Sequence, residues 1–360
     1  MSNIVEYQDL IAFHPGAYVE EIVDDLNITQ AEFAERLGVS SKLISKIING
    51  QDNISASSAE KLARLTGISM ETWLNLQAQY DAKISEIKDS QDSDEVRIAG
   101  FFDFKYLKEN RFITNKRYSI TDKIKELRKL LKISSLSKLA TFNASVSYRR
   151  SSLRNEEKSI VCSNAMLDLA TERARNITDN KYSRYKLKQS FPTIKQLSLK
   201  MPEEFYPILV NLLLECGIVL EVLPMLAGAG LNGATKKFKN GSVLLLVTDR
   251  YKYADIFWFT LVHELGHIYY EDFYSDYKNK ENYLAKEEKA DEFASEFFIS
   301  QKQFDQFVSK KNFTKESIKT FSDDLNIDPG ILVGRLQKNK LIVYSVFNSL
   351  RTRYKVVVGS

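Results

Sequence analysis

Two of the three histidines in this 360-residue chain, His263 and His267, stand four residues apart, and Glu264 directly follows the first. On an α-helix, residues i and i+4 share one face about one turn apart, so both imidazoles can reach a single Zn2+ ion while Glu264 projects beside them to hold a water. That is the equipment of metal-assisted peptide hydrolysis, with Glu264 as the catalytic base. Two ordinary histidines on a surface helix would look different. Here Ile256, Phe257, Trp258, Phe259, Leu261, Val262, Leu265 and Ile268 surround the motif and predict a buried helix, in which unpaired rings and a bare carboxylate are costly.

A catalytic zinc keeps three protein ligands and one open position. The metzincin pattern needs a histidine ten residues after the first, and Phe273 stands there; the remaining histidine, His14, belongs to another domain and reads as a loop residue of structural use. A carboxylate is therefore required. Ala290, Phe293, Ala294, Phe297 and Phe298 mark the buried stripe of a second helix, and Glu287 and Asp291 lie beside that stripe at i and i+4. Glu287 can bind the metal while Asp291 accepts the other ring N–H of a ligand histidine, the Glu-x-x-x-Asp arrangement of the gluzincins. Glu288 is the alternative ligand, and a solvated acidic helix face is the reading without a metal.

The elements that must position these residues are legible around them. Residues 202–216 read as a helix ended by Gly217, and 218–223 as a short strand stopped by Pro224. A glycine-rich loop over 227–233 leads to a second apolar run at 242–248. Residues 242–247 are expected either as an edge strand on which a peptide could pair or as a buried central strand. Arg335 has a possible substrate or support role, with a structural helix-end contact as the alternative. The tail over 341–358 alternates apolar and polar residues and is expected to add one or two strands.

Gly233-Ala234-Thr235, Asp249-Arg250-Tyr251-Lys252, Phe257-Trp258-Phe259-Thr260, His263 to His267, Glu287-x-x-Ala290-Asp291-x-Phe293-Ala294 and Gly330-Ile331-x-Val333-Gly334-Arg335-Leu336-Gln337 together resemble the ImmA/IrrE metallopeptidases over about residues 205–350. The resemblance implies a zincin-like domain with His263, His267 and Glu287 as ligands and Glu264 as base. It also implies cleavage of a helix-turn-helix repressor. Ser300-Gln301 departs from the Met-Pro pair frequent in that family, away from the metal residues.

The other end of the chain has a different pattern. A first helix over 17–26 precedes Thr29, an N-cap with Glu32 three residues on as a capping box; Gly38 ends the helix over 30–37, and the next runs from Lys42 to Ile48 before Asn49-Gly50. Ala34, Leu37, Val39, Ile44 and Ile47 are spaced to pack the two helices together. Ser40, Ser41, Lys42, Ser45 and Lys46 are left outward to enter a major groove, and Gln30 can touch a phosphate. A helical bundle that binds only protein is the competing reading. Trp73, Leu74, Leu76 and Tyr80 read as core or dimer packing.

His14-Pro15-Gly16, the helix from Thr29 to Leu37, Ile47-Ile48-Asn49-Gly50 and Thr72-Trp73-Leu74-Asn75-Leu76-Gln77-Ala78-Gln79-Tyr80-Asp81 resemble HigA-type antitoxins of the XRE repressor class over about residues 10–83. That resemblance implies a five-helix domain, a homodimer bound to double-stranded operator DNA, and neutralisation of a ribonuclease toxin.

Charge is uneven along the chain. Residues 1–80 carry 5 Lys/Arg against 11 Asp/Glu, residues 81–200 carry 26 against 15, and residues 201–360 carry 20 against 21. The basic middle, including Lys123, Lys125, Arg128, Lys129, Lys132, Arg149, Arg150, Arg154, Lys181, Arg184, Lys186 and Lys188, reads as solvated helix faces, added phosphate contact, or a docking surface for an acidic partner. Cys162 and Cys216 form no CxxC pair, and there is neither a leader-like start nor a membrane-length apolar run, so a cytoplasmic protein with no membrane partner is expected. The expected organisation is a helix-turn-helix domain at 1–83, a polar linker at 84–98, a basic helical region at 99–200 and the metal domain at 201–360. The fold class is mainly α with a small α+β domain. The function expected is a regulator of antitoxin type fused to a zinc endopeptidase that cleaves a repressor, a toxin partner or itself. The alternatives are a metal domain that senses or binds without turnover, and toxin neutralisation through residues 1–83 alone.

Overall fold

The structure is a computed structural model that describes residues 4–7, 10–91, 93–140, 156–273, 280–354 and 356. Arg149, Arg150, Arg154 and Val358 lie outside the described residues. The chain opens with a hairpin, β1 (Ile4–Tyr7) and β2 (Leu10–Phe13). Helices follow: α1 (Gly16–Asp25), α2 (Gln30–Leu37), α3 (Ser41–Ile48), α4 (Ala56–Thr66), α5 (Met70–Gln91), α6 (Ser93–Ala99), α7 (Phe104–Glu109), α8 (Ile120–Leu131), α9 (Glu156–Ala174), α10 (Arg184–Leu197) and α11 (Pro202–Glu215). Three strands, β3 (Ile218–Leu223), β4 (Gly233–Lys237) and β5 (Val243–Thr248), precede α12 (Ala254–Tyr269), α13 (Lys280–Phe298), α14 (Gln301–Ser309), α15 (Lys315–Asp324) and α16 (Pro329–Lys338). The mainly helical class with small sheets is the one expected from the sequence.

Two compact units divide the chain: Met1–Val96 with Tyr118–Lys123, and Arg97–Arg117 with Ile124–Ser360. In the first, α2 and α3 pack through Phe33, Ala34, Leu37, Ile44 and Ile47, with Trp73 of α5 fully enclosed and Val39 partly buried against the same core. Gly38 takes the left-handed C-cap conformation and Thr29 accepts the Glu32 amide, so the tight turn forms as its residue types predict. The Glu32 side chain pairs with Arg36 at 2.5 Å, an i,i+4 contact on the exposed face of α2. The hairpin has no counterpart in the sequence reading, because its short strands carry no clean alternation.

Residues 84–98, read as a solvated linker, are largely helical, since α5 reaches Gln91 and α6 begins at Ser93. Buried Ile87 and an i,i+3 pair between Lys83 and Glu86 support the helix through a stretch rich in Ser and Asp, which are weak helix formers. The boundary at residue 200 does not divide two bodies either: α9 packs on β3 and β5, and α10 on α11 and α12, all within the second unit. Among the described residues Lys125, Lys129, Arg184, Lys186 and Lys188 are exposed on helices whose apolar faces, including Ile124, Leu127, Leu187 and Ile194, are buried.

The second unit is built around a three-stranded sheet in the order β3-β5-β4, with β3 parallel and β4 antiparallel to β5. Residues 242–247 therefore form no edge: β5 is the central strand and every residue from Val243 to Thr248 is buried. Its run of Val and Leu without alternation is the signature of a strand covered on both faces. Among the described residues β4 borders the sheet on the side of α12, with Gly233, Ala234 and Thr235 buried and Lys237 exposed. The tail forms a single isolated bridge, Tyr253 to Arg353, and a short 3-10 turn at Asn348–Leu350, with no named strand among the described residues. Trp258, Leu261, Val262 and Leu265 of α12 sit in one core with Leu213, Val243, Leu245, Ala294, Phe298, Leu332 and Leu336.

Candidate metal centre and helix-turn-helix surface

Helix α12 packs on α13 and α16 on one side and on β4 and β5 on the other. Asp255 lies in its first turn, where a carboxylate suits the helix dipole, and accepts a two-pronged hydrogen bond from Arg351 at 2.8 and 3.0 Å. This fixes the helix end about two turns before His263.

The approach of α13 depends on Gly266. A Cβ there would lie 3.1 Å from Phe293 Cδ1 and 3.5 Å from the Cα of Ala290, so a glycine facing an alanine lets the two helices come close. Closeness is what brings a carboxylate from α13 to the α12 histidines. Donor atoms of His263, His267 and Glu287 lie within 4.8 Å of one another. The two Nε2 atoms are 3.1 Å apart, and the Glu287 oxygens stand 3.5 Å from His263 Nε2 and 3.3 Å from His267 Nε2. On the far side of the ring, His263 Nδ1 meets Asp291 Oδ1 at 2.8 Å. Glu288, the alternative ligand, is exposed and stands outside this cluster.

Electrostatics describe a site shaped for positive charge. Burial by itself pulls the His263 pKa down, yet its hydrogen bonds to Asp291 and Glu287 and the charges of Glu264 and Glu287 push it up to about 9. Burial pulls His267 below the ordinary histidine value. Burial would raise Glu287, but hydrogen bonds from the two histidines hold its carboxyl well below the usual range. Two imidazole nitrogens and one carboxylate converging in a buried site match the donor set of catalytic zinc, so these residues fit that ion.

Glu264 is buried on α12 against the start of β4. A Cβ at Gly233 would meet Glu264 Cγ at 2.7 Å and Oε1 at 2.9 Å, so the carboxylate rests on bare backbone and only glycine leaves it room. The signal for Gly233 and Gly266 exists in the sequence only as two glycines. Lys338 was also missed: its Nζ lies 3.4 Å from Asp291 Oδ2. Arg335 is a helix-end contact, donating to the carbonyls of Ser295 and Ile299 where α13 ends.

In the first unit, Gln30, Ser41 and Lys42 are exposed around the starts of α2 and α3. Ser40 is the N-cap of α3 and accepts the Leu43 amide. Ser45 takes a bond from Asn49, and Lys46 pairs with Asp52 at 3.3 Å, so these two are partly engaged within the chain. His14 is buried, accepts the Gly16 amide on Nδ1 at 3.0 Å and packs edge-on against Tyr80. It has no part in the metal cluster.

Residues 19–73 match the helix-turn-helix family. Virulence-associated protein A' of Dichelobacter nodosus is 41% identical over 86 residues, which are 24% of this chain and 72% of that protein. The chain belongs to the helix-turn-helix family. Residues 234–336 match the family described as the IrrE N-terminal-like domain, a peptidase family, so the helix-turn-helix protein carries a second, peptidase-type domain. Among solved structures, an addiction-module antidote protein of the HigA family from Coxiella burnetii is 31% identical, with 23% of this chain and 91% of that one covered at a TM-score of 0.22. The Pseudomonas aeruginosa antitoxin HigA, solved with the higBA promoter, is 30% identical, covering 22% of this chain and 87% of that one at a TM-score of 0.21. No helix among the described residues is long and apolar enough to cross a membrane.

Proposed function

We propose that this helix-turn-helix protein is a DNA-binding regulator of the antitoxin type whose second unit is a zinc-dependent endopeptidase acting on a regulatory protein. The observation that carries the peptidase reading is the convergence of His263, His267 and Glu287 beside a buried Glu264, within a stretch that matches a peptidase family. His263, His267 and Glu287 would hold the metal, and Asp291 would orient His263 through its Nδ1 proton. A zinc ion held there would supply Lewis acidity for attack on a peptide carbonyl. Glu264, close enough to raise the pKa of His263, takes the proton from the attacking water and returns it to the leaving amine. The first residue of β4 lies against Glu264, so the end of this border strand stands beside the proposed centre.

For the first unit, the reading rests on the family match and on exposed Gln30, Ser41 and Lys42 at the helix starts. Double-stranded operator DNA and a homodimer follow from it. The substrate is a repressor, a cognate toxin or this chain itself, all in the class of regulatory proteins. The test is direct: wild-type and Glu264→Gln protein loaded with zinc are incubated with the cell's soluble proteins, and fragments are identified by mass spectrometry. Fragments present with wild type and absent with Glu264→Gln, at equal zinc content, are the expected result. Equal cleavage by both would remove Glu264 from the mechanism.

A further inference from the structure

Three helices of the second unit meet around one ammonium group. Lys338 is the last residue of α16. Its Nζ lies 3.4 Å from Asp291 Oδ2 on α13 and 4.5 Å from the ring centroid of Phe259 on α12. The other oxygen of Asp291 is the one that meets His263 Nδ1 at 2.8 Å, and the Phe259 ring lies 6.3 Å from the His263 ring. Lys338 therefore touches both neighbours of the same imidazole. It occupies one oxygen of Asp291 and leaves the other aimed at the ring.

We infer that Lys338 is a positioning residue for the metal centre, holding Asp291 in the orientation that fixes His263 for the ion; this rests on the metal-centre reading above. Asp291 is 30% exposed, so packing alone does not choose its side-chain orientation. The lysine adds a constraint on its outer oxygen, through a charge-assisted contact with a cation–π contact beside it. A purely through-space effect would have the opposite sign. A positive charge near the site repels a cation and draws electron density away from Asp291, so deleting it would tighten metal binding. Positioning predicts that deleting it weakens binding. The side chain of Lys338 is 51% exposed, which limits the effect to that of a partly screened pair and makes it sensitive to salt.

The test uses the full chain as wild type, Lys338→Met, Lys338→Arg, Asp291→Asn and the Asp291→Asn/Lys338→Met double variant. Zinc affinity is read by competition with a chromogenic chelator, and the thermal midpoint of each metal-free protein is read alongside. Lys338→Met is expected to bind zinc roughly three- to fivefold more weakly at about 0.05 M salt, with the loss shrinking at about 0.5 M. Its metal-free midpoint stays at the wild-type value, and Lys338→Arg keeps wild-type affinity. In the Asp291→Asn background the lysine substitution should cost no further affinity, because its route is gone and only the opposite through-space effect remains. Equal or tighter zinc binding by Lys338→Met, or the same loss in both backgrounds, overturns the inference while leaving the metal centre standing. A wild-type protein that binds no zinc overturns the metal-centre reading, and this inference falls with it.

Discussion

Removing Arg351 should destabilise the second unit strongly and in a pH-dependent way. Asp255 and Arg351 have side chains only 6% and 8% exposed, joined by bonds of 2.8 and 3.0 Å. Burial raises the Asp255 pKa, and the Arg351 guanidinium opposes that rise. Replacing Arg351 with Met keeps bulk but leaves the carboxylate buried without its cation, a change that costs about 3–5 kcal/mol. The carboxyl can escape by taking a proton. Starting from an ordinary value of 3.8, protonation at pH 7 costs about 4.4 kcal/mol, which caps the charge part of the loss. In the variant the folded pKa lies far above the unfolded one, so the destabilisation eases as pH falls, to a cap of about 1.6 kcal/mol at pH 5. For a unit of this size the expected fall in Tm at pH 7 is roughly 6–20 °C. Calorimetry of the full chain at pH 7 and pH 5 reads both quantities. The companion variant Asp255→Leu/Arg351→Met should recover most of the stability, since an apolar pair of similar volume replaces the ions. A Tm loss that is small, or equal at both pH values, or that persists in the double variant, would refute the buried-pair argument.

Two further predictions concern the two ends of the chain. Glu287→Gln should weaken zinc binding by more than about 100-fold, beyond the loss typical of an outer hydrogen-bond partner, while Glu288→Gln should bind zinc as wild type does; chelator competition separates them, and the reverse order would move the third ligand by one residue. In the first unit, burial lowers the His14 pKa below 6.5 despite the nearby Asp81, so its contribution to stability is complete above about pH 6.5 and is lost as pH falls through the folded value. Trp73 fluorescence in a Trp258→Phe background should therefore show unfolding at lower denaturant at pH 5.5 than at pH 7, and His14→Asn should reduce that difference.

The helix-turn-helix geometry was readable because each signal is local. Thr29 and Ser40 cap their helices, Gly38 supplies the left-handed turn, and the apolar spacing of Ala34, Leu37, Ile44 and Ile47 closes the core. Between Lys83 and Asp94 the sequence shows polarity, and the helix found there draws on burial of Ile87 and i,i+3 pairing, of which the first is a tertiary contact that composition does not display. For β5, unbroken hydrophobicity permits a buried central strand, and strand order is a long-range property that no short window contains.

His263, Glu264 and His267 are set by sequence alone, because four residues make one helical turn and the apolar flanks bury that turn. The chemistry of the third ligand was set as well, since no third histidine stands in this domain. The tertiary structure decided which carboxylate arrives. Glu287 and Glu288 are neighbours in the chain, but the close approach of α12 and α13 at Gly266 and Ala290 turns the first toward both rings and leaves the second in solvent. Only packing could also bring Lys338, 71 residues past His267 in the sequence, to the far side of Asp291, or set Gly233 against Glu264. Such contacts join distant segments through shape, and a spacing rule along one helix carries no term for them.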